Sequence, residues 1–226
     1  MNVTNIKINY VLGFVLSSIF IIDDEWLLSE YCWSIWISGL IYSWFTVLLS
    51  FIKNILNLNQ ISKNLKNKFV YLKKLSFLTT NLLVLITLSI IGLIFFKLYS
   101  YLFGFYGILL SVFAEMEPHY FFGRNGFINS DFFTPVVYLC NNFWPMILGT
   151  LIANYSHISE LESSKLIFYP FESNITKIHI MTVLLPFLSL IFWMIFKEDY
   201  QIFVIMIFNL IFYLSFSKRK EIAYKV

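Results

Sequence analysis

The chain has 226 residues, of which 59% are hydrophobic, 20% aromatic and only 13% charged, and its mean hydropathy is +0.75. A water-soluble domain of this size cannot hide that much apolar surface, so the soluble globular class is excluded. The net charge of +3 is small, and the lysines cluster as membrane-flanking residues do, which argues against nucleic-acid binding.

In chain order, Lys7 precedes the apolar run YVLGFVLSSIFII. The run stops at Asp23, Asp24 and Glu25 with no small-x-small cleavage site, so it reads as a retained, short first span over 8–22 and not as a signal peptide. The second span covers 30–52 and carries YCWSIWISGLIYSWF. A loop follows with Lys53, Lys63, Lys66, Lys68, Lys73 and Lys74 and no acid. Within it, KNILNLNQISKNLKNK fits either an amphipathic helix on the inner leaflet or a solvated loop.

The third span starts near Leu75 with LSFLTTNLLVLITLSIIGLIFF, which holds no ionisable residue. The apolar character then continues to Phe113, broken only by Lys97. One straight helix over that stretch measures about 58 Å, nearly twice a bilayer core. It must project, re-enter or kink; a bend near Gly104 or Gly107 is favoured, and a seventh span is the alternative. Three further spans fall at 132–153, 175–196 and 200–216. None of these runs alternates as a β-barrel strand does. The expected fold is therefore all-α: one integral membrane domain over residues 1–226, a polytopic transmembrane bundle of about six helices.

Charge sets the orientation. The acid-free lysine loop and the basic tail Lys218–Lys225 read as cytoplasmic, while Asp23, Asp24, Glu25 and Glu30 read as outside. An even number of spans puts both termini in the cytoplasm of a cell (inner) membrane. Trp26, Trp33, Trp36 and Trp44 suit interfacial or packing positions.

Few residues offer chemistry. Cys32 and Cys140 lack CxxC spacing and read as small buried hydrophobes. His157 follows the fourth span, with Glu160 one helical turn on, and His179 lies about one turn inside the fifth. If those spans form a hairpin, the two imidazoles approach each other near the cytoplasmic interface, where with Glu160 they can hold a divalent metal, or alone a haem iron. The plainer reading is that each histidine caps a helix end or bonds a backbone carbonyl. Lys97 is read as snorkelling to headgroups near the outer end of its span. The outer loop gathers Glu115, Glu117, His119, Arg124 and Asp131 around a GRNG turn. Asn81, Asn141, Asn142 and Asn209 can line a polar path. No phosphate loop, GxSxG, HExxH or EF-hand pattern is present. The spans hold almost no Asp, Glu or Arg, which disfavours an ion-coupled transporter. No reaction or cofactor is disclosed.

Around the fourth and fifth spans the chain has Ser156-His157-Ile158-Ser159, then Tyr169-Pro170-Phe171, then His179-Ile180. Near the second span it has Tyr31-Cys32-Trp33-Ser34 and Gly39. In these elements it resembles an uncharacterised prokaryotic multipass membrane family, domain-of-unknown-function family six-four-nine-eight. That family shows Ser-His-x-x-Ser after one span, a Pro-aromatic turn, an Arg, and a His opening the next span. The Arg and a Glu of its second span are missing here, and Tyr99 stands where the family carries a histidine. The resemblance covers about half the chain. It implies a multipass fold, no known activity, and Ser156, Ser159 and Pro170 as site neighbours of His157 and His179.

The function expected from all this is non-catalytic: a subunit or scaffold that packs against partner helices or copies of itself, or binds lipid. A metal- or haem-binding protein using His157 and His179 is the first alternative, and an uncoupled transporter or channel the second.

Overall fold

The computed structural model describes residues 3–113, 133–160, 173–196 and 201–217, with side chains described for 8–111, 134–155, 175–192, 194–195 and 201–216. Among the described residues every regular element is an α-helix. Hydrocarbon offers no partner for a bare peptide group, and a helix satisfies each one within its own segment.

Helix α1 (Val3–Asp23) ends in a C-terminal cap of the Schellman type. Glu25 takes a left-handed φ of 49°, its N–H reaches Ile22 O at 3.4 Å, and Trp26 N–H reaches Ile21 O at 3.1 Å. Ile21 and Trp26 are both buried, the apolar contact that accompanies this motif. The chain reverses at once into α2 (Leu28–Leu56), where the Glu30 carboxylate accepts the Leu27 N–H at 2.7 Å. Glu30, read from sequence only as an outside acid, thus holds an orphan donor at the positive end of α2.

The lysine-rich loop is helical. It forms α3 (Leu58–Lys68) and a single turn, α4 (Val70–Lys73). Of the two readings of this stretch the amphipathic helix holds: Leu58, Ile61, Ser62 and Leu65 recur at helical spacing and are partly or fully buried, while Lys63 and Lys68 are exposed. Asn81 donates to Asn59 at 2.9 Å and Lys66 to Leu75 O at 2.6 Å, tying α3 to the start of the next helix. Ser76 caps that start, accepting the Thr79 N–H at 3.1 Å.

Helix α5 (Phe77–Phe113) has 37 residues. At 1.5 Å per residue it is about 55 Å long, well beyond a bilayer core. The helix runs unbroken through Gly104 and Gly107, the two positions near which a bend was expected. The break lies elsewhere. The fourth span, expected as one helix, is two: α6 (Phe133–Asn142) and α7 (Trp144–Glu160), which meet at 79°. Pro145 is the physical reason. It has no N–H and its ring clashes with the preceding turn, so it sits at the start of a new helix and not inside an old one. Helix α8 (Ser173–Phe196) tolerates Pro186 in its interior, and α9 (Gln201–Ser217) completes the chain.

Among the described residues three helices, α2, α5 and α8, are long and apolar enough to cross a membrane; the bent pair α6–α7 makes four if it is one span. The apolar stretches of α1 and α9, Ile8–Asp23 and Gln201–Phe216, are shorter. At about 25 Å each they fall below the usual 30 Å core.

Helix α2 is the centre of the bundle. It packs on α5 and α8 on one side and on α7 on the other, where α1, α7 and α9 pack together. Tyr31, Trp33, Trp36 and Tyr42 on α2 are at most 2% exposed. Of the two roles open to the tryptophans, Trp33 and Trp36 take packing. Two glycine contacts let the helices close in. A Cβ on Gly13 would sit 2.5 Å from the Gly149 carbonyl oxygen, and one on Gly39 would sit 2.6 Å from Ile178 and 2.8 Å from Phe103. In a membrane such close approach replaces the hydrophobic drive between helices.

Candidate functional site

Among the described residues, two clusters of buried polar groups lie in the middle of the bundle. The first lies where α1, α7 and α9 meet. Asn209 is fully buried and donates to Ser17 Oγ at 2.9 Å and Ser18 Oγ at 3.0 Å. Tyr213, four residues on, brings its hydroxyl beside Ser17 and Thr150 and within 3.8 Å of Met146 Sδ. Asn209 Oδ1 and the Tyr31 hydroxyl have no hydrogen-bond partner. Among the described residues this cluster gathers hydroxyls and an amide, with the Cys32 thiol close to Tyr31. It can clasp helices or hold a small polar molecule. Of the asparagines read as a possible polar path, Asn141 and Asn142 are exposed at the end of α6, Asn81 is bonded to Asn59, and only Asn209 is in the core. They do not line one route.

The second place surrounds His179. Its ring stacks on Tyr99 at 5.8 Å and 11°, with Phe103 at 5.1 Å and Tyr106 at 5.5 Å. All three rings come from one face of α5, at spacings of three and four residues. Nδ1 is buried and has no hydrogen-bond partner. The sequence put His179 near the cytoplasmic interface. The structure puts it deeper: its neighbour Ile178 touches Gly39, about 16 Å from the Leu28 end of α2 and about 25 Å from the Leu56 end.

His157, Glu160, Ser156 and Ser159 lie on the last two turns of α7, and their side chains fall outside the described residues, as does Pro170 altogether. Among the described residues α7 and α8, expected to be neighbours, each pack on α2 and share no extensive face of their own. A span's sequence neighbour is its spatial neighbour only when no third helix fits between, and here the bend at Phe143 turns α7 towards α1. Among the described residues no three His, Cys, Asp or Glu side chains converge as a metal site. His119, Arg124 and the rest of the outer loop also lie outside the described residues.

Lys97 is exposed on α5, beside Leu93, Ile94, Leu98 and Tyr101. It lies near the middle of α5. Its neighbour Phe96 stacks on Trp44 at 4.7 Å, and Trp44 lies about 14 Å along α2 from Lys53. Side chains on a helix lean towards its N-terminus, so Lys97 reaches towards the lysine-rich end of the bundle.

Sequence reasoning missed the roles of Gly13, Gly149 and Tyr213. The available signal was a lone small residue inside a long apolar span, the mark of a close helix crossing. Comparison of the chain with protein-family models, with curated proteins and with solved structures gives no match.

Proposed function

We propose that this chain is a multi-pass integral protein of the cell (inner) membrane that works by binding, of lipid and of partner helices, and not by catalysis. The six crossings are α1, α2, α5, the bent pair α6–α7, α8 and α9, with both termini cytoplasmic. The short α1 and α9 are served by local thinning of the bilayer at modest cost. The resemblance to domain-of-unknown-function family six-four-nine-eight belongs to the same proposal.

One observation carries the reading: several hydroxyls of the spans are turned onto their own helices, while a long apolar stripe is left bare. Ser34, Ser38, Ser43 and Thr46 on α2 each donate to a backbone carbonyl three or four residues back, and so do Thr150 on α7 and Thr182 on α8. Such hydroxyls are not presented to a substrate. On α5, Leu78, Leu82, Ile86, Ile90, Leu93, Ile94, Leu98, Tyr101 and Phe105 form an exposed row at helical spacing. A patch of that extent on a folded chain is a surface for lipid or for another membrane helix.

A photoreactive benzophenone side chain placed at Ile90 or Leu93 tests this in cells. The expected result is cross-linking to lipid or to a second protein. Cross-links confined to other parts of the same chain would show the stripe covered from within and overturn the reading. A second reading, a metal or haem ligand, has the unpartnered Nδ1 of His179 in its favour. A haem absorption band, or bound metal lost on replacing His179 with alanine, would establish it.

A further inference from the structure

Between α2 and α5, towards the lysine-rich end, a shallow groove opens to the outside of the bundle. Val47, Ser50, Phe51 and Asn54 line it from α2, and Leu88, Ile91, Gly92 and Phe95 from α5. Both sets follow helical spacing, so the groove runs along the crossing for about 10 Å. Gly92 creates it: a Cβ there would meet only Phe51, at 3.9 Å. The stacked pair Trp44 and Phe96 closes its deep end, pinned by the Trp44 Nε1 bond to Ser100 at 3.2 Å.

The lining is apolar except for Ser50 and Asn54. Asn54 is 1% exposed, its amide nitrogen donates to Ser50 O at 2.8 Å, and its Oδ1 has no partner. A buried acceptor of that kind awaits a donor. Beyond Asn54 the surface turns positive: the segment from Lys53 to Lys74 carries six lysines and no acid, and Lys63, Lys68, Lys73 and Lys74 are exposed.

We infer that this groove seats one acyl chain of an anionic phospholipid whose headgroup carries hydroxyls, phosphatidylglycerol being the simplest example. The acyl chain lies along Val47, Leu88, Ile91 and Phe95. The phosphate faces the lysines of α3 and the adjoining turn, where basic side chains attract anionic headgroups. A glycerol hydroxyl donates to Asn54 Oδ1. The inference rests on the binding function proposed above and gives it a lipid class and a place.

Native mass spectrometry of the full chain in detergent, with phosphatidylglycerol or phosphatidylcholine added, tests it. The expected result is one retained phosphatidylglycerol, held at least tenfold more tightly than phosphatidylcholine. Gly92→Leu fills the groove without touching backbone, so it should keep the melting temperature and lose the lipid. Lys63→Gln with Lys68→Gln should narrow the preference between the two lipids while leaving phosphatidylcholine binding unchanged. Equal binding of both lipids overturns the headgroup assignment. Retention of phosphatidylglycerol by a folded Gly92→Leu protein overturns the groove. Neither of these results touches the wider reading, which fails only if the α5 stripe yields no lipid or protein cross-link.

Discussion

Trp36→Ala is expected to lower the stability of the bundle by about 3–5 kcal/mol, the range for removing a fully buried Trp side chain. Trp36 is 0% exposed at the heart of α2. It meets Trp33 at 5.7 Å and Phe103 at 6.1 Å, both edge to face, and lies against Gly107. Its indole N–H donates to the Phe103 carbonyl oxygen at 2.8 Å, so truncation empties a large volume and removes a bond between α2 and α5. Trp36→Phe keeps most of the volume and loses only the donor, at a cost of about 1 kcal/mol. Unfolding in mixed detergent micelles measures both. A Trp36→Ala protein within 1 kcal/mol of the parent would mean that α2 is not the centre of the bundle.

The second large effect is expected at the contact of α1 with α7. Gly149→Val should cost about 3 kcal/mol or more, at or above the upper end of overpacking penalties. A Cβ at Gly149 would come within 2.9 Å of the Gly13 carbonyl oxygen and closer still to the Tyr213 hydroxyl. The first obstacle is backbone and cannot swing aside, so the helices must separate. That separation would pull Asn209 and Tyr213 away from Ser17 and break the polar cluster with it. Gly107→Ala is the internal comparison. Its Cβ would meet Trp36 at 3.5 Å, an ordinary contact, and alanine favours the helix by about 1 kcal/mol, so this variant should be neutral or more stable. The same unfolding assay, run on both variants, should rank them far apart; equal losses would show that helix propensity and not the crossing governs these sites.

The class of fold was legible because the bilayer acts on composition: long uncharged runs must be helices, and Leu75 onward announces itself by having no ionisable residue. What was not legible depends on packing. Gly104 and Gly107 look like a hinge in sequence, and only the folded chain shows Trp36 lying along Gly107 and donating to the Phe103 carbonyl, which ties α5 to α2 at that point. Pro145 gave a genuine local signal for the break at Phe143, obscured by the hydropathy on either side of it. Of the candidate site, His179 stands out in the sequence as one of three histidines, and in the fold its Nδ1 is a buried group without a partner. Its surroundings of Tyr99, Phe103 and Tyr106 belong to a helix more than 60 residues away in sequence, and hydropathy carries no information on which helices touch. The groove at Gly92 was invisible for the same reason: Asn54 and Gly92 mean little until α2 and α5 lie side by side.

The central claim is that α5 crosses a membrane with its apolar stripe against lipid. Nitroxide spin labels at Ile86, Ile90, Leu93 and Leu98 in reconstituted vesicles test it directly, by comparing collisions with dissolved oxygen and with a water-soluble nickel complex. High oxygen and low nickel accessibility are expected at all four positions, and low accessibility to both at the buried Phe103 and Leu110. High nickel accessibility along Ile86, Ile90 and Leu93 would place the stripe in water and contradict the account.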